Sequence, residues 1–408
     1  MADREAVEEC LAEELALDPL LGVPQVHVLD AQTGEVIFDR NGDVPARTAS
    51  VLKILTSAAA LHVLGPDYRI PTIVVRGSLP GEVVLVGRGD LTITRLPTGT
   101  ESFYPAAAHL DELAALVHRA WASDPATAGT PITRLVLDAS FFGGPEWLPS
   151  WAEEERTVDG CATFVTALQV DSDREDPTEA YCDRSTTPIH RAGYWFADAL
   201  GGSIGISRGV APDGASELAR VVSPPVSDIV AHGLRTSDNP AMEMLARLVA
   251  IESGHGNTFA AASEAVLATL GDFGVPTAGI RLVDGSGLSK ENAVPLSCIT
   301  RLLVVALNRE HGLGLLYDRL PVSGVEGVST LSADRFTGDN AIVGGAVHAK
   351  TGFIDKTYTL AGIVHARDGS ALAFAVFALG EVDESARIAI DTLVTAFYRC
   401  GRMLAGLS

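Results

Sequence analysis

Lysine is scarce in this 408-residue sequence. The 30 basic residues include only four lysines (Lys53, Lys290, Lys350 and Lys356) and stand against 52 aspartates and glutamates. The formal net charge of −22 repels phosphate backbones, which argues against a nucleic-acid partner. The hydrophobic content of 47% and the charged content of 20% are typical of a folded globular protein.

Long apolar segments are also missing. No run of 18 or more apolar residues occurs, and the longest candidate, "ALAFAVFALG" at 371–380, suits a buried strand better than a membrane span. The N-terminus, "MADREAVEECLAEELALDPLLG", is acidic and lacks the basic and apolar regions of a signal peptide. We therefore expect either a cytoplasmic protein or a chain that starts after a removed leader.

Residue patterns typical of metal sites do not occur. The five cysteines show no metal-ligand spacing, and the ten histidines form no HxxxH or HxH pair. We therefore expect neither a metal ion nor another cofactor. Cys161 and Cys182 could pair in an oxidising compartment, but the simpler expectation is that the cysteines are small buried apolar side chains.

The order of helix and strand patterns favours an α+β fold. A helix is expected over 3–17 and a hairpin in "VHVLDAQTGEVIFDR", while strands and a final helix follow residue 340. Residues 70–94 predict further strands, the last in "LTIT", and the region 95–225 is less regular. The sequence predicts one α+β layer built from both termini, with the middle of the chain inserted.

Ser50 and Lys53 lie three residues apart in "RTASVLKILTSAAAL", which predicts a helix with both side chains on one face. A serine hydroxyl becomes a good nucleophile only when a base takes its proton. An arginine stays protonated, whereas burial readily lowers the pKa of a lysine. The pair is therefore a candidate nucleophile and base, although the pattern alone fits a surface lysine better.

Two further short motifs contain reactive side chains. Ser237, Asp238 and Asn239 precede a helical pattern, where they could simply cap the helix. Lys350, Thr351 and Gly352 end a predicted strand. Taken in this order, Ser-x-x-Lys, Ser-Asp-Asn and Lys-Thr-Gly are the joint signature of class A β-lactamases and penicillin-binding proteins.

The sequence resembles one branch of that superfamily, the low-molecular-mass penicillin-binding proteins of peptidase family S13, which are D-Ala-D-Ala carboxypeptidases and endopeptidases. Besides the three motifs, "LVDGSGLSKENAVP" is similar to an Asp-Gly-Ser-Gly-Leu-Ser segment that separates this branch from the β-lactamases. "LPVSGVEG", "TLAGIV" and "VGRGDLTIT" resemble other parts of the family. One departure is Phe353, since the family typically has threonine or serine after Lys-Thr-Gly.

The resemblance implies an α+β fold of the transpeptidase and serine β-lactamase type. An antiparallel sheet flanked by helices would form a discontinuous domain from residues 1–71 and 226–408. A smaller mixed domain, residues 72–225, would be inserted into it.

The resemblance also implies a role for each motif residue. Ser50 would be the acylated nucleophile and Lys53 its general base. Ser237, helped by Lys350, would pass a proton to the leaving nitrogen. Asn239 would bind the substrate backbone and hold Lys53.

The same resemblance implies roles for the remaining site residues. The backbone N–H groups of Ser50 and Phe353 would form the oxyanion hole. Substrate binding would fall to a set of residues near these motifs, namely Thr351, Gly352, Leu288 and Lys290.

The function implied by the resemblance is a serine D,D-peptidase that acts on peptidoglycan stem peptides and is acylated by β-lactams. A β-lactamase or esterase of the same fold is an alternative, although no "ExxxN"-type deacylation segment lies between the first two motifs. A non-catalytic module that binds wall fragments is another, although a binder has no need of both Ser50 and Lys53. A peptidoglycan substrate implies a location outside the cytoplasm, with the leader absent from this chain.

Overall fold

A computed structural model of the protein describes residues 19–324 and 331–406, so the predicted helix over 3–17 and part of "LPVSGVEG" lie outside the described residues. The strands are β1 Gln25–Asp30, β2 Val36–Arg40, β3 Pro71–Arg76, β4 Glu82–Val86, β5 Arg134–Asp138, β6 Gly205–Arg208, β7 Glu217–Val222, β8 Val347–Phe353, β9 Tyr358–His365 and β10 Ala371–Ala378. The helices are α1 Lys53–Val63, α2 Leu110–Ser123, α3 Glu154–Thr157, α4 Pro188–Ala199, α5 Val226–Thr236, α6 Asn239–Glu252, α7 Phe259–Asp272, α8 Leu296–Leu307, α9 Gly314–Asp318 and α10 Ser385–Cys400.

The chain divides into two compact units. The first contains the described residues up to Val63, Val230–Asp238 and the described residues from Ser263 onwards, and the second contains Leu64–Ile229 and Asn239–Ala262. Asn239–Ala262 groups with the second unit partly because Arg247 Nη1, which is buried, donates a hydrogen bond of 2.9 Å to the Gly143 carbonyl. The predicted insert, 72–225, had not included this segment, and the predicted domain limits stay a prediction.

The first unit is built on an antiparallel sheet with the strand order β2-β1-β10-β9-β8. β1 is buried throughout, and β10 is buried except at its first residue, Ala371; their side chains alternate between two covered faces. Val26 and Val28 share one apolar cluster with Leu393 and Phe397 of α10. His27 faces the other way, and its Nδ1 lies 2.8 Å from Thr300 Oγ1 of α8. Helices therefore cover both faces, which confirms the predicted α+β class.

The second unit has a mixed sheet with the order β6-β5-β4-β3-β7, in which β4, β5 and β6 are parallel to one another. One face packs against α2 and α4, because alternate strand residues such as Leu85 and Leu137 join Val117 and Phe196 in one core. The strands β6 and β7 and the helix α4 lie in the region that the sequence had predicted to be less regular.

The predicted strand "LTIT" is wrong. The carbonyls of Leu91 and Ile93 accept hydrogen bonds from the N–H groups of Ser172 and Asp171. Asp171, Ser172 and Asp173 all have positive φ, so they form a tight turn and not a partner strand. Within the described residues, no helix is long and apolar enough to span a membrane.

Candidate active site

Ser50 lies on a short 3₁₀ segment, Ala49–Leu52, that leads directly into α1. The sequence had predicted one helix here, but in a 3₁₀ turn residues three apart also lie above one another. Lys53 Nζ is 2.8 Å from Ser50 Oγ. The lysine side chain is fully buried, at 0% exposure, whereas Ser50 is half-buried. A substrate can therefore reach the hydroxyl but not the amine behind it.

A second contact fixes the amine of Lys53. Its Nζ donates a hydrogen bond of 2.8 Å to the Ser286 carbonyl, in the "DGSGLSK" segment. Asp284 shapes this loop by accepting hydrogen bonds of 2.8 Å from the Gly287 N–H and from Asn292 Nδ2. Ser286 had no predicted role, although it lies in the "DGSG" run that carries the family resemblance.

The loop lies very close to the nucleophile. Gly287 has a φ of +86°, and a Cβ atom added there would be 1.9 Å from the Ala49 carbonyl oxygen. Glycine is therefore required by both the backbone conformation and the space. Ala49 itself has a φ of +45°, so the residue before Ser50 adopts an unfavourable backbone conformation that the surrounding contacts hold.

Ser237 and Lys350 form a second serine–lysine pair. Ser237 follows α5 with a φ of +59°, and Lys350 Nζ, on β8, donates to Ser237 Oγ at 3.1 Å and to the Thr351 carbonyl at 2.8 Å. Lys350 is 1% exposed. Burial, the neighbouring Lys53 and the Arg335 guanidinium together hold the pKa of Lys350 well below its ordinary value. The two lysines are thus close enough to act on each other.

The end of β8 lies against the nucleophile. A Cβ atom at Gly352 would be 2.9 Å from the Ser50 backbone nitrogen and 2.2 Å from Thr359 Oγ1. Thr359 Oγ1 in turn donates to the Thr48 carbonyl at 2.9 Å. The absence of a side chain at Gly352 therefore lets the strand approach the turn that contains Ser50, and the half-buried Thr351 lies next to this contact.

The remaining predicted residues have different surroundings. Asn239 is the buried first residue of α6, in the second unit, and its Nδ2 donates to the Cys161 carbonyl at 3.2 Å. Leu288 is buried. Lys290 is exposed, and its Nζ lies 2.9 Å from Asp355 Oδ2.

The site chemistry uses hydroxyls and amines. The Ser50 and Ser237 hydroxyls each lie within hydrogen-bond distance of a buried lysine amine. Such an arrangement can remove a proton from an attacking hydroxyl and deliver a proton to a leaving group. In the described parts of the chain, no group of three or more histidine, cysteine or acidic side chains is arranged to hold a metal. Cys161 and Cys182 are free thiols in this structure, not a disulfide.

Known proteins are similar to this chain in sequence and in fold. The sequence matches the D-Ala-D-Ala carboxypeptidase 3 (S13) family over residues 7–180 and 175–397. It is 35% identical to a carboxypeptidase of Mycobacterium tuberculosis, over 95% of this chain and 82% of that protein. It is also 35% identical to the carboxypeptidase DacB of Mycolicibacterium smegmatis, over 98% of this chain and 85% of that protein.

The fold is similar to that of penicillin binding protein 4 (dacB) from Haemophilus influenzae, solved as a crystal structure. The TM-score is 0.73 at 19% identity, and the match covers 98% of this chain and 99% of that one.

Proposed function

Because this chain belongs to the D-Ala-D-Ala carboxypeptidase 3 (S13) family, we propose that it is a serine D,D-peptidase in which Ser50 forms the acyl-enzyme. The substrate is a peptidoglycan stem peptide that ends in D-Ala-D-Ala, or a cross-link through the same D-alanine. The observation that carries the proposal is the 2.8 Å contact between Ser50 Oγ and the buried amine of Lys53.

Acylation begins at this pair. Lys53 takes the proton of the Ser50 hydroxyl, and Ser50 Oγ attacks the carbonyl carbon of the penultimate D-alanine. The negative charge that develops on the carbonyl oxygen is met by the backbone N–H groups of Ser50 and Phe353, and one such donor contributes about 3 kcal/mol. The position of Gly352 next to the Ser50 nitrogen supports this pairing of donors.

The second pair completes the step. The carbon–nitrogen bond breaks while Ser237 passes its proton to the leaving nitrogen, and Lys350 resupplies Ser237 through their 3.1 Å contact. The low pKa of Lys350 suits an amine that must both give and accept a proton. Water then attacks the ester carbon of Ser50: its hydroxyl joins the acyl group, the carbon–Oγ bond breaks, and the shortened peptide leaves. Oγ takes back the proton held by Lys53, and the proton released by water returns to Lys350.

Binding of the substrate uses the neighbouring groups. Lys350 and Thr351 hold the carboxylate of the leaving residue, and the Asn239 amide binds the peptide backbone. Gly352, Leu288 and Lys290 complete the binding surface, with Lys290 directed to the side chain of the stem. A β-lactam mimics the D-Ala-D-Ala bond and acylates Ser50 in the same way.

A peptidoglycan substrate also implies that the protein works in the cell envelope.

The mass of the intact protein after incubation with benzylpenicillin tests the proposal. The wild type should gain the mass of one penicillin molecule and lose it slowly, and Ser50→Ala should gain none. Ser78→Ala, which removes an exposed hydroxyl in the turn between β3 and β4, is the matched control and should behave like the wild type. Rapid loss of the drug without an adduct would indicate a β-lactamase instead, and neither adduct nor turnover would favour a binding module.

A further inference from the structure

Phe353 has an unusual position for a large apolar side chain. It is the last residue of β8, and 61% of its surface is exposed. Its backbone follows Gly352, the residue that lies against the Ser50 nitrogen. The backbone that carries this exposed phenyl ring therefore lies one residue from the contact with the proposed nucleophile, and the ring leaves a large apolar surface in contact with water.

The ring is held in place. Its centroid is 4.7 Å from that of Tyr358, its cross-strand partner in the β8–β9 pair, with an angle of 35° between the rings. The connecting turn is closed by reciprocal hydrogen bonds of 3.1 Å between Ile354 and Thr357. The ring thus offers a rigid surface, so that little conformational entropy is lost when a ligand packs on it.

The direction of the strand decides which part of a substrate meets this ring. Side chains two apart on a strand project to the same side, so Phe353 shares a face with Thr351, about 7 Å away along β8. Under the proposed function, Thr351 holds the carboxylate of the leaving residue. The side chain of that leaving residue, and not the acyl half of the substrate, is therefore the group nearest the phenyl ring.

We propose that the phenyl ring of Phe353 determines specificity for the leaving residue and favours a D-amino acid with a chain of several methylenes over D-alanine. This inference rests on the proposed function. A methylene chain buries apolar surface on the ring, whereas the single methyl of D-alanine covers little of it. Phenylalanine also has no polar group that could donate a hydrogen bond to a ligand. The diamino acid of a peptidoglycan cross-link carries such a methylene chain.

Two peptides with the same acyl half test this, one ending in D-Ala-D-Ala and the other in D-Ala-D-norleucine. We expect the wild type to have a kcat/KM about tenfold higher for the norleucine peptide, from partial burial of three additional methylenes. Phe353→Thr and Phe353→Ser should abolish or reverse that ratio, while Phe353→Leu should keep most of it. Ile388→Thr, which removes an equally exposed apolar side chain on α10, is the control and should keep the wild-type ratio.

The outcomes distinguish failure of the Phe353 inference from failure of the proposed function. Equal ratios in the wild type and both hydroxyl variants, or an equal loss of kcat/KM for both peptides, would overturn the role of Phe353. Acylation by benzylpenicillin is measured on the same samples. If the wild type neither acylates nor cleaves either peptide, the proposed function itself fails. Normal acylation with unchanged ratios removes only this inference.

Discussion

At the scale of single residues, the choice between lysine and arginine is informative. The chain uses arginine for most of its positive charge, yet the two cations beside Ser50 and Ser237 are Lys53 and Lys350. Both are buried at positions where an amine can lose its proton and a guanidinium cannot. The sequence predicted both pairs only through the three motifs taken together and the family resemblance, because Ser-x-x-Lys alone fits a surface lysine better.

Lys53→Arg tests whether proton transfer, and not just positive charge, is required. The variant keeps a cation near Ser50 but removes the base, so the acylation rate with benzylpenicillin should fall about 10³-fold. Stopped-flow or quenched mass measurements give the rate. Thermal unfolding provides the control, because a variant that has lost its fold says nothing about the base. A folded Lys53→Arg protein that acylates within tenfold of the wild type would contradict this role.

Asp90 provides a prediction about pH and stability. Burial raises its pKa to about 6, and its Oδ2 has no hydrogen-bond partner among the described residues. The folded state therefore binds more protons than the unfolded state between about pH 4 and pH 6, so the stability contributed by Asp90 falls as the pH rises through this window. Above it, the buried carboxylate costs on the order of 3 kcal/mol, since one pKa unit corresponds to about 1.4 kcal/mol.

Asp90→Asn removes this cost while keeping an oxygen that can accept from Thr92. The variant should be more stable than the wild type in urea unfolding at pH 7.5, and the difference should shrink towards zero near pH 4. A difference that stays constant between these pH values would show that the carboxylate is not the cause.

At the scale of elements, the "DGSG" loop packs directly against the turn that contains Ser50. Gly287→Ala would place a methyl group against the Ala49 carbonyl, so we expect a loss of several kcal/mol in unfolding free energy and a slower acylation. Gly312→Ala is the matched control, because Gly312 also has a positive φ (+79°) but no atom within 4 Å of an added Cβ. It should cost about 1 kcal/mol from backbone strain alone, with acylation unchanged. Equal effects of the two substitutions would mean that contact with Ala49 is unimportant.

The elements also show what local sequence can predict. The hairpin β1–β2, the terminal strands β8–β10 and the final helix were predicted because their apolar patterns are strong. The β1–β2 and β9–β10 turns also contain a glycine, Gly34 and Gly369. β6 is only four residues long and largely exposed, so its pattern is too weak to recognise. The Ser286 contact was not predicted either, because it uses a backbone carbonyl 233 residues from Lys53, and no side-chain pattern records it.

At the scale of the whole molecule, the sequence correctly predicted the fold class and the family, since three widely separated motifs restrict the possible architectures far more than composition does. The predicted limits of the inserted domain, residues 72–225, stay a prediction. The segment Asn239–Ala262 begins at the last residue of the second motif and groups with the second unit. Its long-range anchor, Arg247 against the Gly143 carbonyl, depends on tertiary contacts that have no local signal.

The strand order of the first sheet determines when this enzyme can first become active during its synthesis. β1 pairs with β10, and Thr48 beside the nucleophile is held by Thr359, 311 residues further along the chain. Ser50 therefore leaves the ribosome long before the strands that shape its surroundings. The early hairpin must wait with an open edge until the last strands arrive, which makes folding slow and exposes it to aggregation. Reaction with penicillin should consequently appear only once nearly the whole chain has been made, so it reports completed folding as well as catalysis.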